Sequence, residues 1–304
     1  MNIKQLKDPI YGYIEIDESI MHDIVDSSTF QRLRRIRQTG YSPLYHASMH
    51  NRFIHSIGVY FLSKFVCKTL GRYIDLEFGF DVKNIFSLAC LLHDVGHAPF
   101  SHSGEKFFLS SIDKSDDQPH IYKMLIDSVN DLDFHEDVNF YHNGIVEHAA
   151  PHEIMSVLIS LKKFGNYINT IEEKVFFARC ITGYKYRTKL TKHKRFLNCF
   201  IEMLNSKVID VDKLDYIIRD SFITGFQSVS IDYERLLNGL MVIEDEDGYH
   251  LAYHKSALSI IENVIYAHDS ERKWIQNHPV VLYEDYLHYQ TSLVYNLYNL
   301  FLQD

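Results

Sequence analysis

The sequence predicts a mostly α-helical protein, a helical bundle that carries small β-hairpins. The 304 residues include 13 glycines and 6 prolines, about half the usual share of these turn-forming residues. Apolar residues recur at helical spacing through most of the chain, which is the main sign of amphipathic helices. Hydrophobic residues make up 46%, aromatic residues 14% and charged residues 23%. This composition is typical of a folded domain and excludes a disordered chain.

The N-terminal part begins with a hairpin and continues with a helix. Proline, glycine and alternating aromatic and β-branched residues over 7–17 predict the hairpin. Serine and threonine at 27–29 can cap a helix that carries Phe30, Leu33 and Ile36 at helical spacing.

Later elements follow from the same periodicity. The helix over 81–95 is almost wholly apolar, so we expect it to lie at the centre of the bundle, and Gly96 and Pro99 end it. A second hairpin is predicted over 241–254, turning at Asp247 and Gly248. The predicted helices are 51–70, 81–95, 152–164, 171–182, 193–206, 209–221, 231–240 and 255–277.

We interpret residues 1–304 as one domain. Its core is expected over about residues 20–235. Polar stretches in 106–148 predict an irregular insertion, in which His135, His142 and His148 are expected to be solvated rather than functional. A helical extension is expected over about 255–304.

Charge and cysteine content restrict the function. A net charge of −9 argues against sequence-independent binding along a nucleic-acid backbone, which requires a broad basic surface. The four cysteines form no CxxC pair, which favours reduced thiols. No signal peptide or apolar stretch long enough to span a membrane is present, so we expect a soluble, cytoplasmic protein. The unusual feature is the 18 histidines.

The segment LLHDVGHAPFSHSGE, residues 91–105, carries the sharpest chemical signal. His93 and Asp94 follow an apolar helix, where a metal ion can replace the lost solvation of both groups. His55 in HNRFIHSIGVY and Asp212 in VIDVDKLDYIIRD are further metal-ligating side chains within apolar helical patterns. Two imidazoles and two carboxylates suit one divalent transition metal (Fe, Mn, Co, Ni or Zn) better than Mg, which prefers oxygen ligands.

Four motifs in this order resemble a known family. FQRLRRIRQTG, HNRFIHSIGV, HDVGHAPFSHSGE and DVDKLDYIIRD are similar to those of HD-domain phosphohydrolases, specifically the dGTPase-like deoxynucleoside triphosphate triphosphohydrolases. The resemblance runs from about residue 4 to about 235. It implies an HD-domain bundle and hydrolysis of a dNTP to deoxynucleoside and triphosphate, with water attacking the α-phosphorus. Mg²⁺ could accompany the triphosphate.

The resemblance also implies roles for individual residues. Metal ligands are implied at His55, His93, Asp94 and Asp212. Catalytic roles are implied at His97, His102, Glu105 and His152, with His102 protonating the leaving oxygen and Glu105 fixing its tautomer. Substrate contacts are implied at Arg52 and Lys213 (phosphates), Gln38 and Asp220 (sugar 3′-OH), Tyr216 (deoxyribose) and Arg272 (triphosphate).

Partners are implied in the same way. Lys4, Asp26, Gln31 and Arg34 resemble positions that bind an activating guanine nucleotide, and a homo-oligomer is expected. No membrane partner is expected. Two alternatives stay open: another HD-type phosphohydrolase, such as a nucleotidase or a phosphodiesterase, and a catalytically silent nucleotide-binding module.

Overall fold

A mostly α-helical architecture with two small antiparallel sheets is observed, as the sequence predicts. The computed structural model describes residues 2–39, 44–73, 77–109, 120–143, 149–226, 229–246 and 248–301. The hairpins are β1 (Ile3–Asp8) with β2 (Gly12–Asp17), and β3 (Leu240–Asp245) with β4 (Gly248–Tyr253). The helices are α1 (Glu18–Ile20), α2 (Ser28–Gln31), α3 (Arg52–Leu70), α4 (Val82–Leu92), α5 (His102–Leu109), α6 (His120–Val129), α7 (Leu132–Asn143), α8 (Pro151–Lys163), α9 (Ile171–Thr182), α10 (Lys192–Leu204), α11 (Val211–Thr224), α12 (Tyr233–Asn238), α13 (Leu258–Glu271) and α14 (Pro279–Phe301).

The first hairpin begins four residues earlier than predicted and pairs Ile3 with Asp17 and Asp8 with Gly12. Gly12 has a φ of +79° in the turn, a backbone region that glycine enters without a Cβ penalty. Next to the turn, the Asp8 carboxylate accepts hydrogen bonds from the backbone nitrogens of Ile10 (2.8 Å) and Tyr11 (3.0 Å). These bonds fix a buried carboxylate at the edge of the bundle.

Helix α3 is the central element of the fold. It packs against α4 and α11, and α4 in turn packs against α9. The Asn51 side chain caps α3 by accepting from the backbone nitrogen of Ile54 (3.2 Å). Asp81 caps α4, and Asp210 caps α11 by accepting from the backbone nitrogen of Lys213 (2.7 Å). The caps define the starts of the three elements that meet at the site described below.

The predicted helix after residue 27 is shorter than expected. The α-helix ends at Gln31, continues as a 3₁₀ turn to Arg35, and leaves Ile36 extended. The Ile36 carbonyl accepts a hydrogen bond from the Arg52 backbone nitrogen (2.9 Å), so the chain pairs with the start of α3 instead of extending the helix.

The prediction of an irregular segment over 106–148 is wrong for the parts that the structure describes. Helix α5 extends to Leu109, and α6 and α7 occupy 120–129 and 132–143. Ile121, Leu125 and Val129 are all buried and recur every four residues, a helical stripe surrounded by polar residues. His135 and His142 therefore lie on α7, and His148 lies outside the described residues.

The end of α4 differs from its prediction, whereas the second hairpin agrees with it. The helix predicted to reach Val95 ends at Leu92, with His93 as its C-cap, so the His93-Asp94 pair lies in a turn. The second hairpin matches its prediction, although Asp247 lies outside the described residues. None of the described helices combines the length and apolarity needed to cross a bilayer.

Candidate metal and active site

Three elements bring the four predicted metal ligands together. His55 lies on α3, His93 and Asp94 lie in the turn after α4, and Asp212 lies in the first turn of α11. The Nε2 atoms of His55 and His93 are 3.3 Å apart. Asp212 Oδ1 lies 2.9 Å from His55 Nε2 and 3.5 Å from His93 Nε2. Asp94 Oδ1 lies 3.5 Å from His93 Nε2. His55, His93 and Asp94 form a group that can hold a divalent metal ion, and Asp212 lies beside its two histidines.

The electrostatics of this group favour a cation. Burial opposes ionisation of Asp94, but the charges of Arg52 and His93 hold the pKa of its carboxyl well below the usual range. Burial likewise opposes ionisation of Asp212, but hydrogen bonds from His55 and His93 lower the pKa of this carboxyl too. The group thus offers two carboxylates that stay ionised at neutral pH, and a metal ion can balance their charge.

A buried chain of ion pairs holds the His55 ring through its Nδ1 atom. His55 Nδ1 donates to Asp215 Oδ2 (2.7 Å), and Arg219 binds both oxygens of Asp215 (2.9 Å each). Arg219 Nη1 reaches Asp8 Oδ2 at 2.8 Å, so the chain ends on the N-terminal hairpin. A Cβ on Gly58 would lie 1.9 Å from Asp215 Oδ1, which explains the glycine at this position in α3. Partners of this kind orient a metal-binding imidazole.

The sequence interpretation did not identify Asp215, Arg219 or Asp8 as part of the site. One signal was available: Asp215 and Arg219 are four residues apart on one helix, a spacing at which opposite charges meet. His93 is held differently, because its Nδ1 donates to the backbone oxygen of Cys90 (2.9 Å).

A second cluster contains the four predicted catalytic residues. Glu105 Oε1 lies 2.6 Å from His102 Nδ1, 2.9 Å from His152 Nδ1 and 3.6 Å from His97 Nδ1. The rings of His97 and His152 stack with their centroids 3.9 Å apart. His102 is exposed, whereas His97 and Glu105 are buried. Burial opposes ionisation of Glu105, but hydrogen bonds from His102 and His152 keep the pKa of its carboxyl below the usual range.

Arg52 connects the two clusters. Its Nη1 donates to Asp94 Oδ2 (2.6 Å), and its Nη2 donates to Ser101 Oγ (2.7 Å) and lies 3.3 Å from His102 Nε2. The guanidinium is buried between a predicted metal-ligating carboxylate and a predicted catalytic histidine.

Arg32 and Gly96 hold the turn that carries these residues. Arg32 donates to the backbone oxygens of His97 (2.8 Å) and Val95 (2.5 Å). A Cβ on Gly96 would lie 2.2 Å from the backbone nitrogen of Ser156, so only glycine lets this turn approach α8 so closely.

The predicted sugar-binding residues Gln38, Tyr216 and Asp220 lie near His50, and we call these four residues the polar wall. His50 Nε2 donates to Asp220 Oδ1 (2.5 Å), and the His50 backbone oxygen accepts from the Gln38 backbone nitrogen (3.1 Å). The side-chain oxygen of Gln38 is buried without a hydrogen-bond partner in the part of the chain that the structure describes. Tyr216 is half-buried, and burial and the charge of Glu271 raise the pKa of its hydroxyl. The sequence interpretation missed His50 and Glu271.

The other predicted phosphate-binding cations are Lys213 and Arg272. Lys213 Nζ donates to Asp210 Oδ2 and to the Ser206 backbone oxygen, both at 2.8 Å, so it is already engaged. Arg272 is exposed in a π-helical turn after α13. Burial and the charges of Lys213 and Arg272 lower the pKa of His268, which places these cations around this histidine.

The four residues of the predicted activator site do not all contact each other. Arg34 Nε donates to Gln31 Oε1 (2.7 Å), and the Arg34 guanidinium lies 3.6 Å from the Phe53 ring centroid. Lys4 pairs instead with Glu18 (3.2 Å), and Asp26 is exposed.

Comparison with known proteins identifies a domain that contains part of this site. Residues 52–196 match the HD domain, a segment that contains His55, His93 and Asp94. The chain is 29% identical over 262 residues to the uncharacterized protein MG461 of Mycoplasma genitalium, covering 85% of this chain and 52% of that protein. It is 31% identical over 251 residues to deoxynucleoside triphosphate triphosphohydrolase SAMHD1 of Danio rerio, covering 82% of this chain and 38% of that protein.

A solved structure shares the fold over the whole chain. It is a hypothetical protein from Aquifex aeolicus, with a TM-score of 0.67 and 23% identity, and the match covers 100% of this chain and 66% of that one. The chain thus spans about half the length of the MG461 protein, and less of the zebrafish relative. Residues 52–196 therefore form an HD domain, in a chain whose core is similar to that of the deoxynucleoside triphosphate triphosphohydrolase of Danio rerio.

Proposed function

We propose that this protein is a metal-dependent hydrolase that converts deoxynucleoside triphosphates to deoxynucleoside and triphosphate. One observation carries the proposal: a group of two histidines and two aspartates lies next to a histidine–glutamate cluster, with Arg52 between them. The zebrafish relative, named a deoxynucleoside triphosphate triphosphohydrolase, supports the substrate class.

His55, His93, Asp94 and Asp212 would hold the metal ion. When bound, a divalent ion polarises phosphoryl oxygens and lowers the pKa of coordinated water. Arg52 provides a fixed positive charge beside this position, which suits an α-phosphate. Lys213 can contribute a second charge once substrate phosphates compete with Asp210 for its ammonium group.

Proton donation to the leaving 5′-oxygen is assigned to His102. Its Nδ1 faces Glu105, which fixes the tautomer and leaves Nε2 to face the site. Nε2 lies 3.3 Å from Arg52 in this structure. Substrate phosphates would offset the Arg52 charge and favour the protonated imidazole when it is needed. Glu105 and His152 position this histidine, and His97 packs against them.

The deoxyribose is assigned to the polar wall. Asp220 and Gln38 would bind the 3′-OH, and the Tyr216 ring would occupy the space that a 2′-OH requires. A ring in this space would exclude the 2′-OH of ribose by steric overlap, so deoxyribose could be selected without a specific polar contact.

A product assay tests the proposal. Protein loaded in turn with Mn²⁺, Fe²⁺, Co²⁺, Ni²⁺ and Zn²⁺ is incubated with the four dNTPs, GTP and cyclic nucleotides. We expect triphosphate and deoxynucleoside from dNTPs with at least one metal. Monophosphate or inorganic phosphate would instead indicate a nucleotidase or phosphodiesterase, and no turnover with any metal would indicate a silent nucleotide-binding module.

A matched pair of variants tests the metal assignment. Asp94→Ala removes a buried ligand and should abolish turnover, whereas Asp127→Ala changes an exposed aspartate on α6 and should not. Retained activity in Asp94→Ala would contradict the assignment.

Regulation, assembly and location are proposed on the resemblance. Lys4, Asp26, Gln31 and Arg34 would bind a guanine nucleotide that activates a cytoplasmic homo-oligomer. If so, GTP should raise dNTP turnover in the wild type but not in Arg34→Ala, and light scattering should show a mass above 35.8 kDa.

A further inference from the structure

We propose that His97, His102, Glu105 and His152 form a second metal site, and that a Zn²⁺ ion bound there inhibits hydrolysis. The inhibitory effect rests on the function proposed above, because His102 is the proton donor in that reaction. The binding site itself rests only on the geometry of these four side chains.

Four donor atoms converge in this cluster. Three imidazole nitrogens and one carboxylate oxygen all lie within 4.8 Å of one another. The Nδ1 atoms of His102, His152 and His97 lie 2.6, 2.9 and 3.6 Å from the single oxygen Glu105 Oε1. The two shorter distances are hydrogen bonds and occupy both lone pairs of that oxygen, which leaves His97 Nδ1 beside it without a hydrogen bond. Three imidazoles and one carboxylate are a donor set that Zn²⁺ prefers.

His97 provides an independent observation. Its side chain is fully buried, and Nδ1, the nitrogen that faces Glu105, makes no hydrogen bond within the described part of the chain, whereas Nε2 lies 3.2 Å from Asp94 Oδ1. Buried polar atoms usually have partners, and each exception requires an explanation such as an ion. The parallel stacking of His97 on His152, with 16° between their planes, also disfavours two charged rings in this place.

The charge of Arg52 keeps His102 available as a ligand. Arg52 lies 3.3 Å from His102 Nε2, and its positive charge disfavours a proton on that imidazole. Neutral imidazoles and an ionised carboxylate are the forms that bind metal ions. The negative charge of Glu105 partly balances the added ion.

Binding of this ion would interrupt the proposed reaction. A metal on His102 Nδ1 would replace the hydrogen bond to Glu105 and leave on Nε2 only the proton of a neutral imidazole, which is far less acidic than that of an imidazolium and is a poor donor to the leaving oxygen. Low metal concentrations would therefore support activity through the first site, and higher Zn²⁺ would inhibit through the second.

Metal stoichiometry tests the site on the whole protein. Isothermal titration of the metal-free wild type with Zn²⁺, with metal content checked by mass spectrometry, should give two ions per chain. Glu105→Gln and His102→Ala, the latter at an exposed residue, should each bind one Zn²⁺ ion per chain. The remaining ion would show that the variant is folded and that its first site is intact. His135→Ala, an exposed histidine on α7, should retain two. One ion in the wild type, or two in both cluster variants, would overturn the proposal.

Activity tests the inhibitory effect separately. In the wild type, dNTP turnover should fall at least 10-fold over the Zn²⁺ range in which the second ion binds. A constant rate through that range would overturn inhibition. Two bound ions in a protein without any dNTP turnover would contradict the proposed function but not the second metal site.

Discussion

Tyr216 illustrates how one side chain can determine substrate choice. It lies half-buried on α11, between the predicted metal ligand Asp212 and the predicted sugar-binding residue Asp220. If its ring occupies the 2′ position, Tyr216→Ala should admit ribonucleotides. We expect the ratio of kcat/KM for GTP to that for dGTP to rise about 10-fold or more, because a steric barrier of this kind contributes about 1–3 kcal/mol. Tyr216→Phe keeps the ring and should keep the wild-type ratio. An unchanged ratio in Tyr216→Ala would remove the tyrosine from sugar discrimination.

At the same scale, the ligand residues show what could be predicted from sequence. His55, His93, Asp94 and Asp212 were predicted as ligands because each is a metal-ligating type within or next to an apolar helical pattern, and the structure brings them within 4 Å of a neighbour in the set. That these residues lie close together depends on how the helices pack. The four ordered motifs indicate this proximity only through their resemblance to a known family. Lys213 illustrates the limit, since its ion pair with Asp210 depends on local geometry that composition does not reveal.

Helix α8 and the turn after α4 depend on one glycine for their close approach. A Cβ on Gly96 would lie 2.2 Å from the Ser156 nitrogen and 2.5 Å from the His152 oxygen, both rigid backbone atoms. Gly96→Ala should therefore lower the free energy of unfolding by about 2–4 kcal/mol, measured by urea denaturation. Gly79→Ala, where a Cβ would meet nothing within 4 Å, is the matched control. Equal stability of the two variants would contradict the close packing.

The N-terminal hairpin is coupled to the metal position through the ion-pair chain. Asp8 holds Arg219, which holds Asp215, which orients His55. Asp8→Asn should weaken Co²⁺ binding by up to about 10-fold, since loss of a partner that orients a ligand typically costs 10–100-fold. Asp17→Asn, at the other end of the same hairpin, should leave affinity unchanged. Unchanged affinity and Co²⁺ absorption spectrum in Asp8→Asn would show that the hairpin does not act on the metal position.

Element predictions succeeded where apolar periodicity was uninterrupted. Helix α3 was predicted within one residue because its buried positions repeat along the whole segment. Helices α6 and α7 were missed because their buried residues are separated by charged and amide side chains, which are also typical of loops. The 3₁₀ turn after α2 could not be predicted, since it depends on pairing with residues near Arg52 that are distant along the chain.

Stability of the whole molecule should depend on acidity through Asp215. Burial would raise the pKa of this carboxyl, but Arg219 and His55 lower it to about 2. A carboxyl with a depressed pKa stabilises the folded state above its unfolded pKa of about 3.9, and this contribution is lost as pH falls towards 2. The difference in unfolding free energy between wild type and Asp215→Asn should therefore shrink by about 1 kcal/mol between pH 6 and pH 3. A difference independent of pH would contradict this electrostatic account.

At the scale of the whole molecule, the proposed function requires that water attack the α-phosphorus of a dNTP. Hydrolysis of dGTP in ¹⁸O-labelled water by the metal-loaded protein tests this most directly, with products analysed by mass spectrometry. The account predicts unlabelled deoxyguanosine and triphosphate that carries one ¹⁸O atom. Labelled inorganic phosphate with dGDP, or pyrophosphate with dGMP, would contradict it.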